Sequence, residues 1–201
     1  MQIRSHPDVP APPLREAGSA TLIAGTAGAV LLRAMAGMPR VAESVPGALS
    51  MAVAMIALAL AAGWRPGLPR VTSVVVGIAG AAALVAVPAL LRDLPLGWPG
   101  VEASSSWLGW GVVLVLIVVG EEVVLRGVLF TALSTERGVP AAVLVTSLLF
   151  GLIHVPLYGW AAVPLDVAVG VWLAGLRLLT GGVAAPIAAH LGADLAALWL
   201  P

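Results

Sequence analysis

Long apolar runs separated by short polar breaks organise the chain. Val, Leu, Ile and Ala dominate at about residues 20–37, 48–63, 71–91, 107–133, 139–155, 161–179 and 183–200. Each run is close to the roughly 17–25 residues a helix needs to cross a bilayer. The pattern predicts seven helices, because in hydrocarbon a helix pairs its own backbone groups and a lone strand cannot. The breaks carry turn formers, as in MPRVAESVPG, GWRPGLPR, RDLPLGWPGVEASSS and STERGVP. Pro140 suits the first turn of the fifth helix, where a missing N–H costs no hydrogen bond. The expected fold is all-α: a polytopic transmembrane bundle of seven spans, forming one domain over residues 20–201.

Composition sharpens this picture. Of 201 residues, 60% are hydrophobic and 10% charged, and the mean hydropathy is +1.05, far from a soluble domain. The surroundings are therefore membrane lipid. The ten basic residues balance ten acids, leaving no basic patch for nucleic acid, which is excluded as a partner. With no Cys, thiolate zinc sites are excluded and any metal would need His and carboxylate ligands. Residues 1–19 hold four prolines and no apolar period, which predicts a disordered polar tail. The first apolar run begins only at Ala20, too late for a signal peptide, and is read as a retained span.

With the N-terminus cytoplasmic, Arg4, Arg15, Arg65, Arg70, Arg137 and Arg177 fall on the inner side, Arg40 and Arg92 on the outer, and Arg33 near the outer end of the first span. The bias favours a multi-pass protein of the inner or plasma membrane with its N-terminus inside. Trp64, Trp98, Trp107, Trp160 and Trp199 lie near span ends, where indoles commonly sit at the interface.

One stretch, GEEVVLRG at Gly120–Gly127, breaks the apolar rule. Between Val112 and Phe130 the Val, Leu, Ile and Phe residues number fourteen, worth about −4 to −8 kcal/mol of insertion free energy. Glu121, Glu122 and Arg126, at roughly +2.5 to +3.5 kcal/mol each, would cancel it if they faced lipid. They are expected to face the bundle interior. Glu122 and Arg126 stand at i and i+4 and can pair. Glu121 is turned about 100° away and has no partner on its own helix, so something must stand opposite it.

Two later spans supply candidates. FGLIH puts Phe150 and His154 one turn apart, and HLGAD does the same for His190 and Asp194. Glu122 lies 13 residues before Thr135 and His154 lies 14 after Pro140, so the two reach similar depth across the hairpin of the fourth and fifth helices. His190 sits only seven residues into its span, which fits if that hairpin projects past the membrane surface or if the seventh helix starts earlier. Asp166 is read as an interfacial or capping acid, and Thr146 and Ser147 as hydroxyls bonded to helix carbonyls.

The zinc signature H-E-x-x-H is missing, as are a Gly-x-Ser-Gly motif and the second membrane Asp of an aspartyl dyad. What remains is EEVVLR (Glu121 to Arg126), FGLIH (Phe150 to His154) and HLGAD (His190 to Asp194), in that order on three spans. The ordered set resembles the CPBP intramembrane protease family, which includes the type II CAAX prenyl endopeptidases and bacterial proteins linked to bacteriocin processing and immunity. GVWLAGLRLLTGGVAAPIAAH is also similar to the family's approach to its last His. The likeness covers roughly residues 105–198, the expected catalytic core.

The resemblance implies an intramembrane endopeptidase acting on a peptide or lipidated protein substrate. It implies that Glu121 activates water with His154, that His190 and Asp194 position or stabilise the scissile carbonyl, and that Glu122 and Arg126 hold the helix and tune the site, with a more direct part for Glu122 left open. The family's metalloprotease label leaves zinc open, with Glu121, His154, His190 and Asp194 as the ligand set, and the same groups can also work without metal. Asp194 is a departure, because the family most often has Asn there. An ionised Asp cannot donate a hydrogen bond to an oxyanion. Two other readings remain: a proton-coupled transporter, against which stands the lack of internal repeats, and an inactive binding or immunity member of the same family.

Overall fold

The computed structural model describes residues 18–42, 44–90 and 107–199. Residues 1–17 of the tail predicted at 1–19, the loop at 91–106 with Arg92 and Trp98, and the final residues 200–201 lie outside them. The described residues form helices and no strand. There are seven helical bodies. The first three are Ser19–Gly37, Val45–Ala61 and Val71–Leu90. The fourth is continuous over 107–137, α-helical at Trp107–Glu122, π-helical at Val123–Leu129 and α-helical again at Phe130–Arg137. The fifth is Val139–Ile153, extended by a short turn at Val155–Tyr158; the sixth is Val163–Thr180, and the seventh Ala184–Trp199.

Local chemistry sets several boundaries. Ser44 caps the second helix by accepting from the Gly47 N–H at 3.1 Å. Pro140 stands in the first turn of the fifth helix as expected, after Gly138 at φ 86°, a backbone conformation that favours glycine. The sixth helix stops at Gly181, left-handed at φ 71°, which receives the chain before it turns back.

The fourth helix is the hub, packing on the first, second, fifth, sixth and seventh, while the third packs mainly on the seventh. Every residue from Gly120 to Arg126 is buried. No single helix face could hold seven consecutive residues, so the segment is enclosed all round. Gly120 lets it sink in, since a Cβ there would stand 3.2 Å from the Ala52 carbonyl oxygen and 3.3 Å from the Met55 Cβ of the second helix.

The burial pattern inverts that of a soluble protein. Glu121, Glu122, Arg126 and His190 are inside, while Leu31, Met35, Val53, Ile78, Val112, Leu144 and Leu179 are exposed. A belt of exposed aliphatic side chains fits lipid and does not fit water. Three helices, Ser19–Gly37, Val139–Tyr158 and Trp160–Thr180, are long and apolar enough to cross a membrane. The second helix, Val45–Ala61, and the Val71–Ala86 part of the third are apolar over shorter stretches.

The fourth and fifth helices run on beyond their neighbours. Gly127 lies ten residues before the end of the fourth helix, yet a Cβ there would meet Val183 Cγ1 at 3.6 Å and Trp64 Cδ1 at 3.8 Å. Those two residues sit in the turns beyond the second helix and before the seventh. The seventh helix thus begins at Ala184, close to the expected 183, and the projecting hairpin is what brings its His190 level with Glu122. Arg177 stands in the last turn of the sixth helix, half-buried, with Nε donating to the Arg126 carbonyl at 2.9 Å.

At the projecting end the first helix is tied to the fourth. The Ser19 N–H donates to Glu136 Oε1 at 2.9 Å, and the Ser19 hydroxyl donates to Oε2. These bonds, the hydroxyl's first, hold the Glu136 carboxyl below its ordinary value of 4.5. A depressed carboxyl adds stability that is present above that value and is lost as pH falls through the folded one. Glu136→Gln should therefore lower the melting temperature in detergent slightly at pH 7, with the gap to wild type closing as pH falls below 4.5. Equal melting at pH 7 would contradict the tether.

Candidate active site

The site is assembled around Glu122. Its Oε1 accepts from Arg126 Nη1 at 2.8 Å and from His190 Nδ1 at 3.0 Å, and all three side chains are buried. Arg126 in turn donates through Nη2 to the Gly170 carbonyl of the sixth helix at 3.2 Å. Its guanidinium lies 4.5 Å from the centre of the Phe150 ring on the fifth, a cation–π contact. One ion pair therefore joins four helices. The expected Glu122–Arg126 pairing is present, and Glu122 also orients His190.

Gly170 permits the close approach. A Cβ there would fall 2.8 Å from the Ser147 Cα, so the fifth and sixth helices touch backbone to backbone. Thr146 bonds the Ala142 carbonyl at 2.8 Å as expected. Ser147 differs, its hydroxyl being buried with no partner, because it faces the Gly170 contact and not its own helix.

The imidazoles are fixed by what their Nδ1 atoms meet. His154 Nδ1 is 2.7 Å from the Phe150 carbonyl, which can only accept, so Nδ1 carries the proton. His154 Nε2 is left to act. His190 Nδ1 donates to Glu122, turning Nε2 toward Asp194 Oδ2 at 3.5 Å and Glu121 Oε2 at 4.0 Å. Phe150 is the divider between them, with ring centres 4.7 Å from His154 and 5.1 Å from His190. Glu121 Oε2 and Glu122 Oε2 are both buried with no hydrogen-bond partner; the two carboxylates differ in that Glu122 Oε1 accepts from Arg126 and His190.

The five sequence-derived residues thus reach one region by different routes. Glu121, Glu122 and His190 are in mutual reach and His190 also meets Asp194. His154 joins through Phe150. The donor set does not fit a metal: among the described residues no group of three or more His, Asp and Glu side chains is gathered to hold one. The candidate ligands Glu121, His154, His190 and Asp194 are not a ligand cluster in this arrangement.

Three residues belong to the region although the motifs do not contain them. Tyr158 stacks on His154, ring centres 5.8 Å apart and planes at 10°. Asp166 lies in the first turn of the sixth helix but caps nothing, and its buried Oδ2 has no partner; it is within electrostatic reach of His154, which corrects its reading as a capping acid. Arg33 of the first helix is 5% exposed, its Nε unpartnered, and within electrostatic reach of Glu121 and Tyr158. The sequence signal for Arg33 was a lone charge in an apolar helix. The region is most open where Tyr158 is 42% exposed and the Asp194 side chain 38%.

Comparison with known proteins adds one match. Residues 103–196 match the family model described as type II CAAX prenyl endopeptidase Rce1-like. No curated protein and no solved structure matches the chain.

Removing Arg126 would strand a buried Glu122 and break contacts to two further helices. Breaking a buried pair from one side costs about 3–5 kcal/mol. Arg126→Leu should give a sharply reduced yield of folded protein from membranes, and normal yield and melting in detergent would contradict the pairing.

Proposed function

Taking residues 103–196 as a domain of the Rce1-like type II CAAX prenyl endopeptidase family, we propose that the chain is an intramembrane endopeptidase hydrolysing a membrane-associated or lipidated peptide by Glu-activated water. The observation that carries the reading is Glu121: a buried carboxylate outside the bonds that hold its neighbour Glu122, with an unpartnered Oε2 4.0 Å from the Nε2 of a His190 that Glu122 orients. A carboxylate in a low-dielectric pocket is a competent base for water. The family's activity is that of an endopeptidase; the roles of individual residues are this proposal.

In this reading Glu121 takes a proton from water as the oxygen attacks the scissile carbonyl. His154, with Nδ1 committed to Phe150, offers Nε2 to the same water or to the departing amine. Glu122 does not touch substrate; it fixes His190, whose Nε2 faces the carbonyl beside Asp194. Phe150 holds the two imidazoles apart, which keeps their roles separate. The exposed ends of Tyr158 and Asp194 mark where an extended peptide would enter.

The test compares membranes of cells making the wild-type protein with cells making Glu121→Gln. The variant should fold normally and cleave at least about 100-fold more slowly, the usual scale for loss of a general base. An uncleaved membrane precursor should accumulate only in the variant. Identical precursor patterns, or full turnover by Glu121→Gln, would overturn the proposal.

A further inference from the structure

Arg33 is unlike the other buried charges. Arg126 has its carboxylate, its carbonyl and its ring, whereas among the described residues no hydrogen bond or ion pair holds Arg33, and its Nε is sealed from solvent. Its place is well determined. The Ser19–Glu136 bonds align the start of the first helix with the end of the fourth. Arg33 lies 14 residues on from Ser19 and Glu121 lies 15 residues back from Glu136, distances of about 21 and 22 Å at 1.5 Å per residue. The two stand at one depth. The backbone is also pinned there, because a Cβ on Gly47 of the second helix would stand 2.9 Å from the Arg33 carbonyl oxygen.

The proposed reaction lacks a donor that Arg33 could be. Attack on a carbonyl leaves negative charge on its oxygen, and a site that speeds the step needs a donor aimed at that oxygen. Asp194 offers carboxylate oxygens, which when ionised only accept. His190 has Nδ1 committed to Glu122 and Nε2 beside Asp194 at 3.5 Å, so its proton is drawn toward a carboxylate. A guanidinium at the depth of Glu121 and within electrostatic reach of it has donors to spare.

We propose that Arg33 of the first helix is a catalytic residue that binds the oxyanion formed when water adds to the scissile carbonyl, taking the part a donating side chain at Asp194 would play. The inference rests on the endopeptidase reading. Water oxygen bonds to the carbonyl carbon, the π pair moves onto the carbonyl oxygen beside Arg33, and the released proton goes to Glu121. When the pair returns, the C–N bond breaks, Glu121 passes the proton to the amine, and acid and amine leave. The site would then draw one catalytic group from outside residues 103–196, the segment matched by the family model.

The test uses the full chain in detergent and the precursor that wild-type membranes cleave and Glu121→Gln membranes accumulate. Arg33→Gln should lower kcat about 100- to 1,000-fold, the scale for losing one oxyanion donor, with KM within about threefold. Its melting temperature should equal or exceed wild type, since an unpartnered buried charge is removed. Adding Asp194→Asn to Arg33→Gln should recover at least about tenfold in kcat, because a carboxamide donates where a carboxylate cannot. A merely structural arginine would not be rescued by a new donor on the seventh helix. Arg33→Gln turning over within threefold of wild type, or a loss that Asp194→Asn does not relieve, would overturn the inference while leaving the Glu121 result standing.

Discussion

Glu122 accepting from both Arg126 and His190 is the interaction on which the rest depends. A carboxylate and a guanidinium in hydrocarbon are tolerable only as a pair with further hydrogen bonds. Here the further partners lie on other helices: the Gly170 carbonyl on the sixth, the Phe150 ring on the fifth and His190 on the seventh. Satisfying one helix's charges therefore assembles four. The same bond that makes Glu122 tolerable also turns His190 so that Nε2 points at Glu121 and Asp194.

The π segment at Val123–Leu129 follows directly after the two glutamates. A π turn takes in one more residue than an α turn and shifts every later side chain around the axis. Two side chains donate to carbonyls of the segment, Arg177 Nε to Arg126 and the Thr131 hydroxyl to Gly127, at 2.9 and 2.7 Å. The sixth helix thus holds the distorted turn in place through Arg177. Such segments are frequent at functional sites, and here the distortion adjoins the proposed base.

The legible part of the structure was what local spacing encodes. Seven apolar runs gave seven helices, and the i,i+4 relation of Glu122 to Arg126 gave their bond. The illegible part was relational. Arg33 looked like a span-end charge because its neighbours are apolar; only the Ser19–Glu136 register places it beside Glu121. Arg177 read only as a cation on the inner side, because nothing local predicts that its Nε will bond the Arg126 carbonyl of a π segment. Asp166 was read as an interfacial or capping acid and Ser147 as a hydroxyl bonded to a helix carbonyl by habit of type, and Asp166 makes no cap bond while the Ser147 hydroxyl has no partner. The depth of His190 required knowing that the neighbouring hairpin overshoots.

Glu121 and Glu122 are adjacent, carry the same carboxyl group and are both buried, yet one is held to carry the chemistry and the other the fold. Thermal unfolding of Glu121→Gln and Glu122→Gln, side by side in one detergent, separates them most directly. Glu122→Gln should melt well below wild type, because losing one partner of a buried pair costs about 3–5 kcal/mol. Glu121→Gln should melt at or above wild type, having given up an incompletely partnered charge. Equal destabilisation of the two variants would contradict the division of labour.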